Sequence, residues 1–436
     1  MYTYTTQQEP LGAPEILRAV SETLAGEDLR NRRVLAILPD MTRTAPVPGF
    51  FRAMYAVVKS GGGSLDCLIA LGTHPPLDSD RISKLVGMDR GELAANYADC
   101  QFFNHRWDDP SALRTIGVLA ADQIISATGG LMQEDVRIEI NRLVFDYDLL
   151  LILGPVVPHE VVGFSGGNKY FFPGIGGPEF IDFFHWLGAV MTIPNIIGIA
   201  DTPVRRVLNL AAGFLKLPRI FFNLVMDEQG LQGIFAGLDQ DAWQAAAGLS
   251  AKLHIFDQPR RYRSVLGIAP TKYDDLWTAG KAAYKLDGIV EDGGELIIYA
   301  PHITEISYTH GRLIDQAGYH VRDYFYTRMD EFKHIPGRIK AHSTHVKGTG
   351  VYADGREEPR INVVLATGIP EERCRLVNLG YRDPLSINPA DWENKEDQGL
   401  LLVREAGERL YRLSSKLRNS PPAPLFCEIE GRFKNA

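Results

Sequence analysis

The chain of 436 residues is too long for one simple hydrophobic core, and its length predicts two domains. Its hydrophobic share of 45% and charged share of 23% are those of an ordinary soluble globular protein. A formal net charge of -8 offers no basic surface for nucleic acid or an anionic membrane, so a small molecule is the expected partner.

Cysteine usage and the N-terminus predict a cytoplasmic protein. The four cysteines are scattered without CxxC pairs, which predicts neither a disulfide framework nor a zinc site. The N-terminal stretch MYTYTTQQEP lacks the basic and apolar regions of a secretion signal, and no run of about eighteen apolar residues occurs later. We therefore expect neither secretion nor a membrane span.

Two short apolar runs near the N-terminus predict neighbouring strands of a parallel sheet. The run at residues 34–39 leads into Asp40 and Arg43, and the run at residues 65–71 leads into His74. A predicted helix separates them, and this alternation predicts a doubly wound α/β domain. Because ligands gather at the carboxyl ends of such strands, the three side chains are candidate site residues. A capping acid, a surface base and a loop-capping histidine are the alternatives.

Two further strands are predicted before the middle of the chain. The aromatic run at residues 101–107 is typical of an edge strand, and its His105 is predicted to be structural, with catalysis as a reserve role. A strand within residues 137–155 leads into a glycine-rich segment. It brings His159 beside the residues that follow the first strand, provided that the two strands are neighbours.

Residues 154–188 hold the most unusual chemistry of the chain, with six glycines in fifteen residues. Dense glycine indicates positive φ angles or a ligand pressed against the main chain, and consecutive N–H groups can bind phosphate. The segment therefore predicts a phosphorylated cofactor. A tight surface loop without a ligand is the equal alternative, because the spacing matches no standard phosphate loop.

A lysine, Lys169, directly follows the turn GFSGGN of this segment, and His159 and His185 bracket it. Its aromatic neighbours can desolvate the amine, which is how lysines become nucleophiles or covalent anchors. A solvated lysine extending from a loop is the alternative.

The second half of the chain predicts a smaller α/β domain. Polar and basic composition around residues 257–264 marks the junction. We predict an N-terminal domain at residues 1–258, a C-terminal domain at residues 264–390, and a tail at residues 391–436 that docks back on the N-terminal domain.

A helix predicted over residues 275–286 turns Lys281 toward the cleft between the two domains. A later strand ends at His302, and His310 follows shortly after it. Either these two histidines line the cleft or both are structural.

The chain resembles the nickel-pincer nucleotide-dependent lactate racemase family. The resemblance covers most of the chain, and its specific motifs lie between Asp40 and His185. The matching motifs are DxTR at residues 40–43, GTH at 72–74, PH at 158–159, GFSGGNK at 163–169, PG at 173–174 and His185. This chain departs from the family at Pro75, where arginine is usual, and at Thr278, where the family's Gln-x-x-Lys has glutamine.

The resemblance implies a role for each matching residue. Lys169 would anchor a pyridinium mononucleotide through a thioamide, and His185 would ligate its nickel. The implied acid and base are His74 and His159. The implied substrate contacts are Arg43 and Lys281 on the carboxylate, with Asp40 steering the arginine and Thr278 at the glutamine position. The glycine-rich turn adds Gly166 and Gly167 as candidate cofactor contacts.

The implied activity is racemisation of lactate or another short 2-hydroxy acid in the interdomain cleft. The hydrogen would leave and return as hydride, which avoids a dianion beside the carboxylate, and the cofactor would require maturation proteins. Two histidines are needed because the hydroxyl points to opposite sides in the two enantiomers. The alternatives are an epimerase or racemase of a longer or dicarboxylic 2-hydroxy acid, a pyridoxal-phosphate enzyme, a non-catalytic nickel or cofactor-binding protein, and a zinc hydrolase as the weakest.

Overall fold

The computed structural model describes residues 1–6, 9–238 and 240–414, and these divide into two compact units. The first unit comprises Met1–Pro158, Phe164–Phe183 and Pro203–Leu253. The second comprises His159–Gly163, Phe184–Thr202 and the described residues from His254 onward.

Strands and helices alternate along the chain. The strands are β1 Tyr2–Thr5, β2 Arg33–Leu38, β3 Ser64–Ile69, β4 Phe102–Asn104, β5 Leu113–Leu119, β6 Val136–Asn141, β7 Leu149–Pro155, β8 Pro158–His159, β9 Gly163–Phe164, β10 Arg219–Met226, β11 Leu231–Gly237, β12 Ile255–Gln258, β13 Tyr262–Ile268, β14 Val290–Ala300, β15 Gly350–Ala353, β16 Arg356–Pro359, β17 Asn362–Thr367, β18 Gly380–Tyr381, β19 Leu400–Val403 and β20 Leu410–Leu413. The α-helices are α1 Ala13–Leu24, α2 Val47–Ser60, α3 Ser79–Leu85, α4 Arg90–Asn96, α5 Ala121–Thr128, α6 Pro178–Met191, α7 Pro203–Ala212, α8 Gln240–His254, α9 Leu276–Ala279, α10 Lys281–Leu286, α11 Gly311–Ala317, α12 Arg322–Thr327, α13 Gly337–Lys347 and α14 Glu371–Leu376.

The first unit is built on a seven-stranded sheet with the order β1-β11-β10-β7-β2-β3-β4. Strands β10, β7, β2, β3 and β4 run parallel, and β11 runs antiparallel to both of its neighbours. The chain moves outward from β2 to β4 on one side and from β7 to β10 on the other. The strand order therefore reverses between β2 and β7, as in doubly wound sheets. This confirms the predicted fold class.

Packing of the first unit follows from its apolar patterning. Every residue from Val34 to Leu38 in β2 is buried, as expected for a parallel strand covered on both faces. Helix α2 places Phe50, Phe51 and Met54 in the same apolar cluster as β2 and β3. The amphipathic α1 packs beside α2. These elements fix the strand ends that carry the candidate site.

The second unit contains a five-stranded, all-parallel sheet with the order β18-β17-β14-β13-β19. A separate parallel pair is formed by β12 and β20. The predicted helix at residues 275–286 is present as α9 and α10, which meet at Gly280. In the part of the chain that the structure describes, no helix is both long and apolar enough to span a bilayer.

The two units differ from the predicted domains in their boundaries. The chain enters the second unit at His254, close to the predicted junction, but two earlier segments also belong to this unit. The reason is an apolar cluster in which Ile193 and Ile197 pack against Tyr284 and Leu410. A hydrophobic contact between such distant parts of the chain leaves no local signal in the sequence.

The described part of the predicted tail contains two strands. Strand β19 pairs with β13, and β20 pairs with β12, so these strands complete sheets of the second unit. Residues 415–436 lie outside the described residues.

Candidate functional site

Predicted site residues follow three adjacent strands at the carboxyl edge of the first sheet. Asp40 follows β2, His74 follows β3, and β7 leads toward the turn that carries Lys169. Strand β2 lies between β3 and β7, and the strand order reverses at its boundary with β7. Open α/β sheets bind ligands in the crevice at such a reversal.

Asp40 and His74 form a hydrogen-bonded pair at this edge. The Asp40 Oδ2 contacts the His74 Nδ1, and Asp40 Oδ1 accepts from the Thr42 hydroxyl at 2.6 Å and the Thr42 N–H at 3.1 Å. Burial acts to raise the pKa of Asp40, which is 5% exposed, but His74 and Arg43 outweigh it and hold that pKa well below its usual range. The carboxylate is therefore ionised and only accepts, so His74 donates to it through Nδ1, and Nε2 is the ring nitrogen left for another partner.

The turn that carries Lys169 packs against the same strand ends. The Gly72 N–H after β3 donates to the Gly174 carbonyl at 2.9 Å. Burial raises the pKa of Tyr170, and the charged groups that act on its phenol are Arg43 and Asp40. The residue after Lys169 therefore lies near the Asp40 and Arg43 side chains.

Close approach of Tyr170 explains one glycine of β7. A Cβ built on Gly154 would lie 1.9 Å from the Tyr170 Cε2, well inside contact distance. We expect Gly154→Ala to destabilise the protein by about 1–3 kcal/mol or more, because the ring or the strand must move. Urea unfolding measures this change.

A matched control is Gly248→Ala on α8, where no described atom lies within 4 Å of the added Cβ. This variant is expected to gain up to about 1 kcal/mol, as alanine is the better helix residue. Equal stability of Gly154→Ala and the wild type would contradict the close packing.

Backbone conformation and close packing explain two glycines of the glycine-rich turn. Gly166 and Gly167 have φ angles of 79° and 57°. A Cβ on Gly166 would lie 2.5 Å from Val156 Cγ2, and one on Gly167 would lie 3.0 Å from Trp243 Cδ1. The Gly167 N–H donates to Asn223 Oδ1 at 3.1 Å, so the structure supports no phosphate contact through this group. Lys169 is half-buried on the 3₁₀ turn Gly167–Tyr170 that follows.

His105 has the contacts of a structural histidine. It is buried, with Nε2 3.0 Å from the Gly176 carbonyl and Nδ1 3.1 Å from Asn141 Nδ2. The ring therefore donates through Nε2 and accepts through Nδ1. Burial lowers the pKa of His105 to about 4, so the ring is neutral at physiological pH.

This lowered pKa predicts a loss of stability in mild acid. Between the ordinary histidine pKa of 6.5 and the folded value of about 4, the unfolded chain binds a proton at His105 that the folded chain does not. Stability from this group is thus complete above pH 6.5 and falls as the pH drops toward 4, by up to about 3 kcal/mol. We expect His105→Gln to flatten the pH dependence of the unfolding free energy. Identical slopes for variant and wild type would contradict this.

The second unit holds His159 and His185. His159 is 7% exposed, and its Nδ1 lies 3.1 Å from the Val161 N–H, which donates to it, and 3.3 Å from Glu160 Oε2. His185 lies half-buried on α6.

Thr278 and Lys281 also lie in the second unit, on either side of Gly280. The Asp275 carboxylate caps α9 by accepting the Thr278 N–H at 3.0 Å, and Thr278 is buried. The Lys281 ammonium lies 4.7 Å from the centre of the Tyr273 ring. These contacts hold the segment that carries both predicted substrate residues.

His302 and His310 contact this same segment. His302 Nε2 lies 3.0 Å from the Tyr273 carbonyl, and the His310 ring packs on Trp277 with centroids 4.6 Å apart. The structure thus gives both histidines packing roles beside the predicted substrate residues.

The structure assigns the predicted site residues to two groups. The first unit holds Asp40, Arg43, His74, Gly166, Gly167 and Lys169, and the second holds His159, His185, Thr278 and Lys281. Among the described residues, no three His, Cys, Asp or Glu side chains cluster as a metal site.

Three residues around the turn were missed by the sequence interpretation: Asn223, Arg205 and Trp243. Each contacts a backbone group of residues 164–167. They lie 39 to 78 residues along the chain from the turn residues that they contact, and no local motif marks them.

The fold is that of a doubly wound α/β protein, and the first group of predicted site residues lies at the reversal of its sheet. Residues 7–195 match the family model described as the lactate racemase N-terminal domain. The lactate racemase of Thermoanaerobacterium thermosaccharolyticum is 25% identical over 286 residues, which span 62% of this chain and 60% of that protein. Residues 7–195 therefore belong to the lactate racemase N-terminal domain family.

Two solved structures are similar to this one. A protein from Thermotoga maritima has a TM-score of 0.86 at 32% identity, with 94% of this chain and 100% of that chain covered. The lactate racemase apoprotein of T. thermosaccharolyticum has a TM-score of 0.70 at 18% identity, with 93% and 94% covered, and shares the fold.

Proposed function

We propose that this protein racemises lactate or another short 2-hydroxy acid. The observation that carries the proposal is the Asp40–His74 pair with Arg43, at the sheet edge against which the Lys169 turn packs. The proposed reaction needs a base, a cation for the carboxylate and an amine that anchors the cofactor, and His74, Arg43 and Lys169 are side chains of these kinds.

Arg43 and Lys281 are the proposed holders of the substrate carboxylate. The planar guanidinium of Arg43 can make two parallel hydrogen bonds to a carboxylate, which a lysine cannot copy. Fixing the carboxylate leaves only the central carbon free to change configuration. Asp40 keeps a negative charge beside Arg43 and orients it, in addition to its contact with His74.

His74 and His159 are the proposed acid and base. With its Nδ1–H on Asp40, His74 offers Nε2 to the proton of the substrate hydroxyl. The Asp40 carboxylate then stabilises the imidazolium that forms. His159 accepts the Val161 N–H through Nδ1, so Nε2 of the neutral ring carries a proton and can give it to the substrate oxygen when His74 is the base. The two histidines exchange the roles of acid and base for the opposite enantiomer.

The nickel-pincer nucleotide fits the donor set of this chain. The half-buried Lys169 amine would anchor the nucleotide at the turn formed by Gly166 and Gly167, and His185 would hold the nickel. One imidazole would suffice as the protein ligand because the cofactor itself would bring the other donors. When bound, the cofactor supplies the hydride acceptor that no side chain provides.

Two further proposals concern the partners and the location of the protein. Assembly of the cofactor requires cofactor maturation proteins, which are therefore proposed as partners. We also propose a cytoplasmic location. The four cysteines form no CxxC pair in the sequence, and the three described ones, Cys67, Cys100 and Cys374, are free thiols.

The test is to express the protein with its maturation proteins, supply one enantiomer of lactate and follow optical purity. We expect loss of optical purity, together with nickel and an added mass on the intact chain. Failure of a cofactor-loaded sample to invert any of a panel of 2-hydroxy acids would count against catalysis. Nickel or cofactor content without any turnover would instead favour the non-catalytic binding protein.

A second candidate is the epimerase or racemase of a longer or dicarboxylic 2-hydroxy acid. Thr278 favours it, because a threonine stands where the family has glutamine, and the shorter side chain would leave more space for a longer substrate. The same panel separates the two functions. Preference for lactate by about tenfold or more in kcat/KM supports the first, and the reverse preference supports the second.

A further inference from the structure

Arg205 on α7 is a buried cation that the proposed reaction does not use. It is 3% exposed, and burial lowers the pKa of its guanidinium to about 9. It also lies in the first turn of its helix, where the helix dipole is positive and no acidic residue occurs. Burying a charge in such a place is costly without strong compensating contacts, so those contacts indicate its purpose.

The contacts of Arg205 converge on the turn that carries Lys169. Its Nη2 donates to the Phe164 carbonyl, and its Nη1 lies 3.5 Å from the Gly166 carbonyl. The guanidinium lies 4.0 Å from the centre of the Trp243 ring, and the Trp243 Nε1–H donates to the Ser165 carbonyl at 2.8 Å. Three successive carbonyls therefore accept from one stacked arginine–tryptophan pair.

One of these carbonyls connects the pair directly to the lysine. The Gly166 carbonyl that faces Arg205 also accepts the Lys169 N–H at 3.3 Å. On the far side of Lys169, its carbonyl accepts the Gly174 N–H at 3.2 Å. Movement of the first carbonyl would therefore move the backbone from which the Lys169 side chain extends.

We propose that Arg205 is a positioning residue for Lys169, acting with Trp243 to fix the three carbonyls of the turn. This inference rests on the proposed role of Lys169 as cofactor anchor. The planar fork of an arginine reaches two carbonyls while its face stacks on an indole, and lysine does neither. Arg205→Lys and Trp243→Phe thus each remove part of the arrangement while keeping a cation or an aromatic ring.

The experiment measures amine reactivity in the full-length chain without cofactor. Limiting N-hydroxysuccinimidyl acetate is added, and peptide mass spectrometry gives the acetylation of Lys169 relative to the exposed Lys216. We expect this ratio to rise several-fold in Arg205→Lys and Trp243→Phe, since a loosened turn exposes the half-buried amine. Arg206→Lys, the exposed arginine next in the chain, is the matched control and should leave the ratio unchanged.

A second measurement uses protein made with its maturation proteins. Here the covalently attached mass should fall by about tenfold in the two variants, because a misplaced amine reacts poorly even when it is more exposed. The buried Lys285 of the second unit reports on general loosening. An unchanged Lys169 ratio, or an equal rise at Lys285, would overturn the inference.

These results are separable from the proposed function. A wild-type chain that never carries a mass on Lys169 would remove the anchor role but leave the acetylation comparison valid. A wild-type chain that carries the mass, with variants equal to it in both measurements, would remove the positioning role alone.

Discussion

Replacing Lys169 by alanine is expected to abolish both the covalent cofactor mass and racemisation. No other described lysine occupies the turn between Gly166 and Gly174, so no neighbouring amine can replace it. Without an anchored hydride acceptor the reaction loses its chemistry rather than only its substrate affinity. The rate should fall by at least about 10⁶-fold, the lower range of enzymatic acceleration. Intact-mass spectrometry and optical purity measure the two effects.

The control for this variant is Lys216→Ala, which removes an exposed lysine of the same unit. It should keep the attached mass, the nickel content and the rate of the wild type. A Lys169→Ala protein that still carries the added mass would show that another residue is the anchor. A variant that lacks the mass but still inverts its substrate would show that covalent attachment of the cofactor is not needed for catalysis.

The elements around the site could be predicted because their signals are local. Fully buried parallel strands appear as apolar runs, and residues 34–39 and 65–71 correspond to β2 and β3 within a few residues. Adjacent parallel strands end at the same edge of a sheet, which is why Asp40 and His74 were predicted to lie together. The structure confirms this by their hydrogen bond.

The reasons for the glycines could not be separated from the sequence. A glycine run has the same appearance whether it leaves N–H groups for phosphate or avoids a clash with a neighbouring ring. A side chain at Gly154 would clash with Tyr170. Gly167 lies against the Trp243 ring, and its N–H donates to Asn223. Both depend on residues far away in the chain, as do the contacts of Arg205. The assignment of residues 184–202 to the second unit likewise depends on contacts with residues far away in the chain.

Replacing Asp40 by asparagine should lower kcat by about 10²–10⁴-fold, with a smaller rise in KM because Arg43 loses the charge that orients it. The ionised carboxylate only accepts, so it fixes the His74 proton on Nδ1 and leaves Nε2 as the base. An asparagine amide can donate to Nδ1 instead, which places the ring proton on Nε2 and removes the base. Steady-state kinetics in both directions measure the loss, which must be equal in kcat/KM when the two enantiomers are equally stable.

The charge of the Asp40 carboxylate should also be visible in how the stability of Asp40→Asn depends on pH. Because the folded-state pKa of Asp40 is lowered, its contribution to stability is present above the ordinary value of 3.8 and is lost as the pH falls below it. The stability gap between wild type and Asp40→Asn should therefore shrink in acid. Asp66→Asn is the matched control, since the Asp66 carboxylate also accepts two hydrogen bonds, from Tyr147 and Gln101, but lies within β3. It should reduce stability and leave kcat unchanged, whereas equal losses of kcat in both variants would remove Asp40 from the orientation of His74.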